Sequence, residues 1–289
     1  MDGPMADVLV GATRVLLYAG FVLLAGTLSF WVLVWPEGRF DRRQLLLVDD
    51  GMVLLAVATV IGPLVTVLVN GAIESISGEA AAAALLRLAV IAVIAAWLPE
   101  LVDDPTVRRR RATLGAIVVA LSLTMAIASD AMTGHLVALK IVATFGHLLG
   151  AAAWLGGLVA LAVVIIPGQR LDQLDELVPS FSKVSFVSVV TLAVTGTVHA
   201  LAQAGGPAAL ASTPFGVVLL LKVTVFAGML VLGNHGRRYA NEVVLHRLRA
   251  RHRASTGVHT LAVVMGAELA TAGAVLLTTA VLVAVAPLG

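Results

Sequence analysis

Residues 133–161 read TGHLVALKIVATFGHLLGAAAWLGGLVAL. The run from Val137 onward is apolar and long enough to cross a bilayer, because about twenty residues of α-helix span the hydrocarbon core. Yet it carries Lys140, His147 and Trp154, spaced by sevens and so on one helical face. His135 lies just ahead of it and Met132 three residues before that. Ionisable groups at membrane depth face a bundle interior, pair with one another, or serve function. The segment therefore predicts a membrane helix with one polar face turned into a bundle.

The rest of the chain agrees. Of its 289 residues 60% are hydrophobic and 12% charged, and the mean hydropathy is +1.01. These values describe a membrane protein rather than a soluble domain. Cysteine is absent, which excludes disulfides, thiolate metal sites and catalytic thiols. The net charge of +2 comes from arginine runs beside apolar segments without interleaved aromatics, so no nucleic-acid partner is expected. No nucleophile, base and oxyanion-hole arrangement stands out, and no enzyme activity is expected. The N-terminal MDGPMADVLV lacks a basic n-region and reads as the start of a retained span.

Hydropathy predicts an all-α, polytopic transmembrane bundle of about eight helices, near 7–35, 45–71, 79–99, 112–130, 137–166, 181–203, 214–235 and 259–286. Breaker residues mark the connections at Pro36, Pro99–Pro105, Pro167–Pro179 and Gly205–Pro214. The chain reads as one membrane domain, 1–289. Arginines cluster at 39–43, 108–111 and 237–253, whereas the alternate loops have no Lys or Arg. The positive-inside rule then places both termini outside the cell. The arginine runs act as topology determinants and bind membrane lipid headgroups.

Two sets of intramembrane polar residues stand out. Ser188, Thr191, Thr195 and His199 recur at intervals of three and four, one stripe on the sixth span. The fifth and sixth spans are sequential and antiparallel, so His199 and His147 are expected on touching helices. His135, His147, His199 and Met132 together have the imidazole and thioether chemistry of a copper site on the outer side. Hydrogen bonding of His147 to a neighbouring helix is the plainer alternative. Counted along the helix axes, the two histidines differ in depth by ~9 Å. Lys222 on the seventh span and Glu268 on the eighth fall at similar depth and form a candidate structural or gating ion pair. Met229 shares the Lys222 face. Lys140, Trp154, Thr195 and Met229 are candidate site-lining residues.

The order of motifs resembles the copper resistance protein D (CopD) family. The matching pieces are Thr133-Gly134-His135, the run from Gly146-His147 to Trp154-Leu155-Gly156-Gly157-Leu158, then Phe181-Ser182, Phe215-Gly216 through Lys222, and Leu232-Gly233-Asn234. The resemblance covers residues 130–240; the first four helices, 1–129, fit by length and hydropathy. It implies a multi-pass plasma-membrane protein of copper handling, with copper transport and an extracytoplasmic copper-binding partner of CopC type. His135, His147 and Lys222 match family positions, and His199 follows the Thr195-Gly196 pair. Met132 and Lys140 have no counterpart in that pattern, and no CopC-like domain or methionine-rich tail is present. Four cations, Arg14, Arg87, Lys140 and Lys222, fall in the outer half and would repel copper unless compensated. That favours an alternative: a b-type haem electron-transfer protein, with His147 and His199 as axial ligands and the cations near the propionates. A copper-binding assembly or sensor factor without transport is a third reading.

Overall fold

The computed structural model describes residues 4–38, 42–71, 76–104, 106–129, 137–165, 174–204 and, with gaps, 216–231. Helices account for nearly all of them: α1 (Pro4–Leu33), α2 (Arg42–Asn70), α3 (Gly78–Asp103), α4 (Val107–Ile127), α5 (137–165) and α6 (Leu174–Ala204). These six are long and apolar enough to cross a membrane. A seventh, α7 (Leu219–Gly228), is shorter in its described part. The expected all-α bundle is thus present. The eighth span, with Glu268, and the side chains of Lys222 and Met229 lie outside the described residues.

Local chemistry sets the helix ends. Pro36 follows α1 and removes the next amide donor. Ser77 caps α3, its hydroxyl accepting from the Ala80 N–H at 3.2 Å. Asp104 accepts from the Thr106 N–H at 2.7 Å and turns the chain into α4. The buried Arg110 donates to the carbonyls of Pro36 at 2.6 Å and Gly38 at 3.1 Å, which fastens the start of α4 to the turn after α1.

Three boundaries differ from the sequence expectation by four residues or more; one is the start of α4, at Val107 instead of 112. Pro99 does not end α3, which continues to Asp103, and Pro179 lies inside α6, which starts at Leu174. Proline removes one backbone hydrogen bond but does not stop a helix whose neighbours or local adjustments satisfy the freed carbonyl. Pro99 lies four residues before the end of α3 and Pro179 five residues after the start of α6, so each interrupts the ladder near one end and leaves most of the helix intact.

α1 forms the centre, packing on α2, α4 and α5. Phe21, Leu24, Ala25 and Leu28 have no exposed surface, and Phe30 and Trp31 are almost fully buried. Outward faces are apolar as well, with Leu64 and Leu68 on α2, Leu85 and Val93 on α3, and Phe186 and Val194 on α6 exposed. A helix apolar on every side suits hydrocarbon rather than water.

Close helix approach depends on small residues. Gly26 of α1 meets Gly156 of α5 backbone to backbone, and neither has room for a Cβ. Such contacts replace the hydrophobic drive that helices lack inside lipid. The α-helical part of α5, Val137–Ala151, gives way to a π-helical stretch, Ala152–Gly156. Gly157–Ala160 is again α-helical, and Leu161–Ile165 is π-helical. The wider π turn places the Gly156 backbone against α1. It also ends the seven-residue spacing argument at Ala151, because that count assumes 3.6 residues per turn. Trp154 packs inside the bundle, 7% exposed, with its ring edge-on to Phe226 of α7 at 5.5 Å.

Arg87 lies on α3 and is 3% exposed. It donates to the Thr124 hydroxyl at 3.3 Å, the Thr124 carbonyl at 3.0 Å and the Thr59 hydroxyl at 3.4 Å. Both hydroxyls donate in turn to their own helices, at Leu121 and Leu55. The guanidinium is thereby surrounded by oxygen acceptors and joins α2, α3 and α4. These acceptors lie on α2 and α4.

Candidate metal site between α5 and α6

The two helices run antiparallel. Gly146 faces Thr191 and Thr195, and Gly150 faces Ser188 and Leu192. The absence of a side chain at Gly150, where a Cβ would stand 3.2 Å from the Ser188 carbonyl oxygen, lets α6 lie directly on α5. The Thr191 and Thr195 methyl groups would stand at ordinary contact, 3.7 and 3.5 Å, from a Cβ at Gly146.

His147 and His199 meet at this seam. Their ring centroids are 5.9 Å apart, edge to face at 88°. The axial difference expected from the sequence does not keep them apart. Side chains on a helix tilt toward its N-terminus. On antiparallel neighbours the two tilts point at each other, so His147 reaches toward the start of α5 and His199 toward the start of α6. Counting depth at the backbone alone missed this convergence.

A threonine from the facing helix holds each ring. His147 Nδ1 is 2.9 Å from Thr195 Oγ1, and His199 Nε2 is 3.3 Å from Thr144 Oγ1. The first bond fixes a tautomer. Thr195 has one hydroxyl hydrogen, and the 2.6 Å contact to the Thr191 carbonyl uses it. The Thr195 oxygen therefore accepts, and His147 Nδ1 carries the proton. Nε2 is then the lone-pair nitrogen, the form in which imidazole ligates a metal while its other N–H is held by an oriented acceptor. Thr144, three residues before His147 on the same face, was not singled out from the sequence. The signal was available in the spacing of Thr144 and His147 against Thr195 and His199, each a hydroxyl and an imidazole within one helical turn.

Of the other expected site residues, Lys140 is half-buried one turn before Thr144 on α5. His135 and Met132 lie outside the described residues, as do Lys222, Met229 and Glu268. The structure brings together His147, His199 and Thr195. Trp154 is more than a turn further along α5, on Phe226. Among the described residues no group of three or more His, Asp or Glu is arranged to hold a metal ion. The described part of the candidate site thus offers two imidazole donors, a set that suits a soft or borderline transition metal and not a hard cation.

These features define a multi-pass helical membrane protein with a histidine pair set between adjacent spans. Residues 175–282 match the family model described as CopD, copper resistance protein D. The match bears out the resemblance read from the sequence where the two overlap, over residues 175–240. The matched range starts at α6, so it includes His199, Lys222, Met229 and Glu268, whereas His135 and His147 precede it. No curated protein and no solved structure matches the chain.

Proposed function

We propose that this copper resistance membrane protein binds copper as cargo at His147 and His199, in the outer half of the plasma membrane, and conducts it across. The observation that carries the reading is the histidine pair: two imidazoles from neighbouring helices, 5.9 Å apart, each oriented by a threonine of the opposite helix. His135 and Met132, a few residues before α5, extend the path outward, where a CopC-type protein would deliver the ion. Lys222 and Glu268 act as a gating or structural ion pair, with Lys140 and Met229 along the route. Arg87 is held by threonine oxygens on α2 and α4. These neutral oxygens hold the guanidinium on α2 and α4 and leave its charge intact.

Haem b is the second reading, because two imidazoles from adjacent helices are also its ligand set. The convergence of the two rings removes the depth objection to it. His199, however, turns Nε2 toward Thr144, so Nδ1 is the nitrogen that this ring directs elsewhere. A visible absorption spectrum of the detergent-purified protein, with metal analysis of the same sample, separates the two. The copper reading predicts no Soret band and uptake of copper by the colourless protein. A Soret band that sharpens into α and β bands on reduction would overturn it in favour of haem.

A further inference from the structure

The four arginines Arg108–Arg111 divide into two pairs with different surroundings. Arg109 faces Asp104 at 3.8 Å, and Arg110 is buried on the Pro36 and Gly38 carbonyls. Arg108 and Arg111 are exposed, three residues apart and therefore on one face of α4. Together they border an open groove of about 600 Å³ between α4 and the end of α1, whose other lining residues are Val32, Val107, Ala112 and Gly115. The groove is apolar except for the two guanidinium groups at the helix start. A Cβ at Gly115 would meet only Val32, at 3.8 Å, so the missing side chain leaves the floor open.

We propose that this groove is a binding site for an anionic phospholipid. Its phosphodiester would sit between Arg108 and Arg111, and an acyl chain would run along Val32, Ala112 and Gly115. The charge pattern selects this occupant. Guanidinium groups bind phosphate oxygens as two-pronged donors, and the first turn of α4 adds the positive end of the helix dipole. The apolar floor continues from the charged end toward the membrane interior, as a lipid requires and a free phosphate does not. Basic pockets between membrane helices are known to take such headgroups. Arg110 is held by backbone carbonyls and Arg109 lies beside Asp104, so Arg108 and Arg111 are the pair that borders the groove.

Native mass spectrometry with added dioleoylphosphatidylglycerol or dioleoylphosphatidylcholine tests the site. The wild-type protein is expected to retain the anionic lipid in preference. Arg108→Ala with Arg111→Ala should weaken that lipid about thirtyfold, as loss of two basic residues near an anionic headgroup implies. Arg42→Ala with Arg109→Ala removes the same charge near the same membrane surface and should weaken it less than about threefold. Gly115→Leu keeps every charge, adds a side chain to the groove floor beside Val32, and should also weaken binding. Equal loss in the two double variants would overturn the proposal in favour of unspecific charge attraction. Unchanged binding in Gly115→Leu would overturn the acyl-chain path. Displacement of the lipid by inorganic phosphate would show a phosphate site in place of a lipid site.

Discussion

Gly156→Ala is expected to destabilise the protein, although the same change in an open helix position stabilises. Glycine to alanine inside a helix ordinarily gains about 0.5–1 kcal/mol from backbone entropy. Gly11 on α1 has nothing within 4 Å of a would-be Cβ, so Gly11→Ala should show that gain. At Gly156 the new carbon would run into the Gly26 backbone. No rotamer relieves a contact with main chain, so α1 and α5 must separate. Overpacking of this kind costs about 1–3 kcal/mol and more when the backbone has to shift. Because α1 also packs on α2 and α4, the displacement would spread through the core. Thermal unfolding in detergent reads both variants. A lowered midpoint for Gly156→Ala beside a raised one for Gly11→Ala is the expected result; two raised midpoints would mean that the helices do not touch there.

The second large effect concerns copper. Thr195→Val removes the acceptor that orients His147 through Nδ1. Loss of an orienting partner of a ligating histidine typically costs about 10–100-fold in metal affinity. His147→Ala removes the donor itself and should exceed that loss. Thr197, two residues from Thr195 on α6, is exposed and bonds only its own helix, at Ala193; Thr197→Val should leave affinity unchanged. Copper titration against a competing chelator measures all three. If Thr195→Val and Thr197→Val behave alike, the threonine does not hold a ligand.

Much of the fold was readable because membrane spans depend on length and apolar content, which are properties of the sequence itself. Six spans fall within about three residues of their expected ranges, apart from the starts of α4 and α6 and the end of α3. Those exceptions follow from rules of water-soluble helices, where proline and arginine read as boundaries. The hydroxyl stripe of α6 was readable because three- and four-residue spacing survives in a regular helix. The π-helical stretches of α5 were not, since Ala152–Gly156 contains nothing that forbids an α-helix. Tertiary contact with Gly26 accompanies the wider turn. The meeting of His147 with His199 required the direction of side chains as well as their heights. The role of Arg87 required knowing that Thr59 and Thr124, far apart in sequence, face it together.

X-ray absorption at the copper K edge, on copper-loaded wild-type protein and on His147→Ala and His199→Ala, tests the account most directly. Ring scattering from imidazole counts the histidines bound to the metal. The account predicts at least two imidazoles in the wild type and one fewer in each variant. An imidazole count unchanged by both substitutions would contradict it.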